Sequence, residues 1–301
     1  MIKSHNVLII VCFGIIYLVW GSTYLFAAFG LEEIPAFQMC FYRYFIAGFL
    51  TLGLGFMIGK RWAYDSLTLR NAILGGVLMM GMGTTGGIWA LKYLDSGLTA
   101  LIIAGEPLII LLMLWAWDGQ LPDKKAFLGV FLGILGMSLL VNQDILISTR
   151  EEWYGLMAIL GSMLSWGIGS IFMSRVQVPD NTFINSGIQM ITGGLVGLTF
   201  SMLAKEEQVS IVATSGLTLF SLSYLIILGS IVAYTAYNYL LRKVSTEKVV
   251  TNTYVNPVVA LVLGYLFRDE LITSKTVIAA IIMISGVYFV NTSRGTKKPS
   301  H

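Results

Sequence analysis

Long apolar runs, separated only by short polar stretches, follow one another along the whole chain. A hydrocarbon core of ~30 Å needs roughly 20 apolar residues in a helix. Runs at 7–29, 36–58, 71–91, 98–117, 126–142, 153–172, 182–203, 217–241, 249–267 and 276–291 meet that need and predict ten transmembrane helices. The first run continues to about Phe29 without a small-residue cleavage motif, so it reads as a span and not as a signal peptide. The links are too short to carry a soluble domain, so consecutive helices must alternate in direction.

Basic residues set the orientation. One set of loops and ends holds Lys3, Lys60, Arg61, Arg70, Lys124, Lys125, Arg175, Arg242, Lys243, Lys248, Arg294, Lys297 and Lys298. The opposite set holds Lys92, Arg150, Lys205, Arg268 and Lys275, a bias of 13 to 5. The positive-inside rule then places both termini in the cytoplasm, as an even number of spans requires.

The chain also repeats itself. At an offset of 150, Glu106-Pro107 matches Asn256-Pro257, Lys92 matches Arg242, Ser96 matches Thr246, Gln120-Leu121 matches Glu270-Leu271, Lys125 matches Lys275 and Gly136 matches Gly286. Earlier in each half the offset is 146, pairing Trp20-Gly21 with Trp166-Gly167 and Gly48 with Gly194. Five spans per copy is an odd number, so the second copy enters the membrane from the other side. Two inverted halves can exchange conformations, and that exchange is the physical basis of alternating access in secondary transporters. The predicted fold is therefore an all-α integral membrane protein of two inverted five-helix repeats, 1–145 and 146–301.

Composition agrees. Of the 301 residues, 56% are hydrophobic and only 12% are charged, a balance that a bilayer accommodates and a soluble core of this size does not. The 32 glycines suit close helix approach. A net charge of +3 gives no reason to expect a nucleic acid partner. Cys12 and Cys40 lie in apolar runs and read as packing residues.

With these features the chain resembles the drug/metabolite transporter superfamily, EamA type. The resemblance is carried by Trp20-Gly21-Ser22-Thr23-Tyr24, by Tyr42-Arg43-Tyr44, and in each half by a fourth-span proline, an apolar run and then Gln120 or Glu270. It implies a ten-helix carrier with a central cavity between the halves, many such carriers exporting amino acids or other small metabolites. Gln120 departs from the usual glutamate, and Glu106 is not a general feature of the family.

Arg43 and Glu106 are the ionisable side chains deep in the spans, where an unpaired charge costs several kcal/mol. Counting ~1.5 Å per residue from the outer boundary places them at similar depths, about 10 and 12 Å, so an ion pair between them is geometrically allowed. Either the pair ties helices together or it lines the substrate path, with Arg43 binding a carboxylate or Glu106 taking up a proton. Their repeat counterparts are Gln189 and Asn256, so one half would carry a charged pair where the other carries two amides. Trp20, Ser22, Tyr24, Trp89, Trp166, Tyr237 and Asn238 complete the expected cavity lining, with Trp89 also placed for an interfacial belt. Pro107 and Pro257 are the expected helix kinks or gate points. An aromatic cavity with few charges suits amphipathic solutes better than dianions.

Neither a nucleotide-binding loop nor a metal-ligand cluster nor a catalytic triad is legible, so neither an enzyme nor a cofactor is expected. The expectation is a multi-pass plasma membrane protein (bacterial inner membrane) carrying a small-molecule substrate, with the lipid bilayer as partner and protons as a candidate coupling ion. A non-transporting scaffold or sensor that kept the fold is the alternative.

Overall fold

A computed structural model describes residues 2–58, 65–90, 92–94, 102–103, 105–119, 123–140, 149–268 and 273–293. The described residues are helical throughout, without strands. The helices are α1 (Ile2–Leu31), α2 (Ala36–Ile58), α3 (Ser66–Ala90), α4 (Glu106–Asp118), α5 (Lys124–Leu140), α6 (Arg150–Arg175), α7 (Thr182–Leu203), α8 (Gly216–Lys243), α9 (Asn252–Arg268) and α10 (Ser274–Thr292). Seven of them, α1, α2, α3, α6, α7, α8 and α10, are long and apolar enough to cross a membrane. The described parts of α4, α5 and α9 are shorter, at 13, 17 and 17 residues. Gln120, Glu270 and the side chain of Tyr24 lie outside the described residues.

Local chemistry sets the helix ends. Asp65 accepts from Thr68 N (2.9 Å), and Thr149 and Glu152 form a reciprocal capping box at the start of α6. At one end of the bundle Glu33 crosses to the start of α8, accepting from Ser215 N at 2.8 Å and Thr218 Oγ1 at 2.9 Å. These donors, Ser215 first, hold the Glu33 carboxyl below the usual carboxylate range. Glu206 does the same for α2, accepting from Phe37 N (3.2 Å) and Gln38 N (3.0 Å).

Two predicted spans differ in shape from expectation. The run at 98–117 is not one straight helix: Gly105 forms a turn and α4 starts at Glu106. Pro107 therefore sits in the first turn of a helix, where its missing N–H has no intrahelical partner to lose. It starts α4 and does not kink it. The run at 249–267 is likewise split, a single turn at Thr246–Val249 preceding α9, but Pro257 does lie inside its helix. Two helices hold a surprise: Gly76–Thr84 in α3 and Leu225–Val232 in α8 are wound as π-helix. Nothing in residue periodicity announces such a segment.

Helix pairing follows a regular scheme. α2 packs along α7 and α5 along α10, while α1 lies against α8 and α9, and α6 against α3 and α4. Glycines bring the paired helices together. A Cβ at Gly129 would stand 2.6 Å from Gly286 O, and one at Gly286 would stand 2.6 Å from Gly129 O. Between α2 and α7 the same reciprocity joins Gly48 and Gly187, each 3.0 Å from the other's carbonyl oxygen on that measure. Small residues drive helix association in lipid because backbones can then touch. Large apolar side chains such as Phe131, Phe220 and Ile281 point outward, as a lipid-facing surface needs.

Gly129→Ala should press its methyl group on the α10 backbone and cost about 1–3 kcal/mol by overpacking. Thermal melting of the purified protein in detergent should drop by several degrees. Gly14→Ala, which meets no atom within 4 Å, should leave the melting temperature unchanged.

Candidate functional site

Three aromatic residues from α1, α6 and α8 meet in the bundle interior. Trp20 on α1 stands edge-on to Trp166 on α6, with ring centroids 6.0 Å apart, and 5.1 Å from the Tyr237 ring on α8. Trp166 and Tyr237 are 5.5 Å apart. Hydrogen bonds orient all three rings. Trp20 Nε1 donates to Gly229 O (2.9 Å), Trp166 Nε1 donates to the Tyr237 hydroxyl (3.1 Å), and that hydroxyl also bonds Ser170 Oγ at 2.9 Å. Gly229 lies in the π-wound part of α8. The matching segment of α3 gives Leu78 O to Ser165 Oγ (2.8 Å) and Gly83 O to Ser162 Oγ, both donors lying on α6.

Arg43 and Glu106 do not pair. Among the described residues no ion pair joins them. Arg43 Nε donates to Ser230 Oγ at 2.8 Å, and the guanidinium carbon lies 5.0 Å from the centre of the Tyr44 ring. Glu106, 6% exposed, stands instead at the start of α4.

The two amides do not pair with each other either. Gln189 Nε2 donates to Asn185 Oδ1 (3.0 Å), while its carbonyl oxygen accepts from the Tyr234 hydroxyl and from Asn238 Nδ2 (3.1 Å). Asn238 Nδ2 also donates to Ser186 Oγ at 3.0 Å. This polar seam fastens α7 to α8. Asn256 Oδ1 is buried with no partner.

The fold and these contacts now have relatives. The model of the EamA-like transporter family matches the chain twice, over residues 8–142 and 153–292. The chain belongs to the EamA-like transporter family. An uncharacterized inner membrane transporter of Escherichia coli (strain K12), YedA, is 30% identical over 91% of this chain and 88% of its own length. A probable amino-acid metabolite efflux pump of the same strain is 23% identical, covering 91% of each chain. A solved crystal structure with 19% identity superposes with a TM-score of 0.76 over 94% of this chain and 95% of its own, which is a likeness of fold alone.

Within this EamA-family membrane protein, the other expected lining residues divide. Ser22 bonds the Tyr224 hydroxyl (2.5 Å) and its own helix at Val19 O, so it joins α1 to α8 beside the Phe26–Tyr224 stack. Trp89 packs on Tyr93 near the end of α3, away from the aromatic trio. A cavity of about 440 Å³ opens at that end of the bundle, bordered by Ile34, Ile88, Lys92 and Glu206 among others. Tyr234, Ser170, Asn185 and the Gly229 carbonyl escaped the sequence reading. The first three carry no motif, and a backbone acceptor leaves no trace in residue type.

Trp20→Phe keeps an aromatic ring but removes the hydrogen bond to Gly229 O, a loss of about 0.5–1.5 kcal/mol. A lower melting temperature in detergent is expected, with Trp89→Phe, distant from that bond, showing little change.

Proposed function

We propose that this protein is a secondary transporter of small amphipathic metabolites, an exporter of amino acids or similar solutes, working by alternating access. In this reading residues 1–145 and 146–301 are inverted halves, α4, α5 and α9 cross the membrane with the seven longer helices, and both termini lie in the cytoplasm of a bacterial inner-membrane protein.

The observation that carries the reading is the exchange of equivalent contacts between the halves. If α1 to α5 correspond to α6 to α10, then α1 on α8 corresponds to α6 on α3, α1 on α9 to α6 on α4, and α2 on α8 to α7 on α3. All of these pairs pack together. The self-paired helices α2–α7 and α5–α10 meet through reciprocal glycines, as contacts across a two-fold axis would. Two π-wound segments occupy corresponding helices, and the family model matches each half separately. Such a molecule has two arrangements of similar energy, because each contact set has a counterpart ready to replace it.

The chemistry of the interior supports an amphipathic solute. Trp20, Trp166 and Tyr237 offer aromatic faces, and Arg43 and Glu106 bring one charge of each sign without pairing. The names of the two Escherichia coli relatives, an inner membrane transporter and a probable amino-acid metabolite efflux pump, agree with this placement. The sequence bias of 13 basic residues against 5 supports the orientation. Glu106 is the group available to couple transport to protons.

Proteoliposomes loaded with amino acids and related amphipathic solutes should show counterflow for at least one of them. Flux no greater than in protein-free vesicles across the whole panel would exclude carrier activity for these solutes. With a transported solute in hand, Glu106→Gln should flatten the pH dependence of flux in a protein that still elutes as one folded species. An unchanged pH profile would remove the proton role.

A further inference from the structure

Three corners of the chain wall the cavity at the end of the bundle. Leu31 and Ile34 come from the end of α1 and the turn after it, Ile88 and Lys92 from the end of α3, and Glu206 and Glu207 from the stretch after α7. Its volume of about 440 Å³ falls within the range of small-molecule sites, roughly 300–1,000 Å³.

One side of this wall is fixed by bonds of its own. The Glu206 carboxylate accepts from Phe37 N (3.2 Å) and Gln38 N (3.0 Å), and its side chain is only 4% exposed. Gln38 in turn exchanges hydrogen bonds with the Val209 backbone, each 3.0 Å long. The stretch after α7 is thus tied to the start of α2, and the cavity wall stands without a guest.

Lys92 and Glu207 are not engaged in that way. The Lys92 ammonium has three donors to offer and makes no hydrogen bond among the described residues. Its nearest carboxylate oxygen, Glu206 Oε1, is 3.9 Å away, beyond the roughly 2.7–2.9 Å of a charge-assisted hydrogen bond. The Lys92 side chain is 46% exposed, and its ammonium stands 5.8 Å from the centre of the Phe37 ring. The Glu207 side chain, also exposed, has no described hydrogen bond or ion pair.

The cavity therefore presents an apolar surface, one unbonded cation and one unbonded anion, beside an anion that is already satisfied. A simple carboxylate would add to a surplus of negative charge, and a simple ammonium would leave Lys92 unbonded. A zwitterion adds no net charge and brings an acceptor for Lys92 and donors for Glu207. Its apolar side chain would cover Leu31, Ile34 and Ile88.

We propose that this cavity binds the zwitterion of an apolar amino acid, with its carboxylate on Lys92 and its ammonium on Glu207. The proposal rests on the transporter reading and adds a station to it. Lys92 belongs to the outer set of basic residues, so an exported solute rests here as it leaves.

Trp89 provides the reporter, since it follows Ile88 in the chain and its carbonyl accepts from Lys92 N at 3.1 Å. Titration of tryptophan fluorescence in the detergent-purified full chain should show saturable binding of leucine. 3-Methylbutylamine, without the carboxylate, and 4-methylpentanoate, without the amino group, should each bind about threefold to tenfold more weakly. Lys92→Gln and Glu207→Gln should each weaken leucine binding by about the same factor. Their melting temperatures should stay unchanged, because both side chains are exposed. Trp89→Phe should abolish the fluorescence change. Equal binding of leucine and either analogue would overturn the proposal, as would an unchanged leucine affinity in Lys92→Gln. So would a signal that survives Trp89→Phe, or the same change from added detergent alone, the mark of an amphiphile filling the cavity. Binding is read here without a membrane, so the two readings fail separately. Leucine counterflow in vesicles with no loss of affinity in Lys92→Gln leaves a transporter and removes this site. Leucine binding that depends on Lys92, without flux of any solute, leaves the site and removes the transporter.

Discussion

Lipid offers a backbone nothing to bond with, and that constraint organises this molecule. Regular helices meet it internally, and in the π-wound segments of α3 and α8 some carbonyls also take a side-chain donor. These donors lie on α1 and α6. Trp20 serves Gly229 O, while Ser165 and Ser162 serve Leu78 O and Gly83 O. α1 is thereby fastened to α8, and α6 to α3. The same bond that satisfies Gly229 also aims the Trp20 indole at Trp166 and Tyr237, so backbone satisfaction and the shape of the interior are one problem.

Around that interior the contacts are of two kinds. Gly48 with Gly187 and Gly129 with Gly286 let α2 meet α7 and α5 meet α10 at backbone distance. These are van der Waals contacts that need close approach but little directional bonding. Between α7 and α8 the opposite holds, and Gln189 collects Asn185, Tyr234 and Asn238 into a bonded seam. Glycine interfaces can slide or rock with small loss, whereas a bonded seam moves as a body. The alternating access proposed above would need both: rigid pieces, and smooth faces between them.

Charge is placed more sparingly. Arg43 is settled on Ser230 and over Tyr44, as a buried cation must be. Glu106 is left without such a partner at the start of α4, where the helix N-terminus favours a negative charge but does not neutralise it. The inequality between these two residues, one satisfied and one open, gives the interior its chemical polarity.

By itself the sequence determined the membrane class, the places of the seven long apolar helices and the family. Those properties depend on apolar length and on residues recurring at fixed offsets, both readable along a line. It also picked out Trp20, Trp166 and Tyr237, because aromatic residues deep in a span are few. Only the tertiary structure decided that Arg43 and Glu106 stand apart, that Gln189 joins a seam while Asn256 stays unpartnered, and that Pro107 begins a helix where Pro257 lies within one. The reason is geometric: depth along a helix can be counted from sequence, but which way a side chain faces depends on winding and on the neighbour it meets. A turn at Gly105 or a π-wound segment in α8 shifts that facing without changing a single residue type.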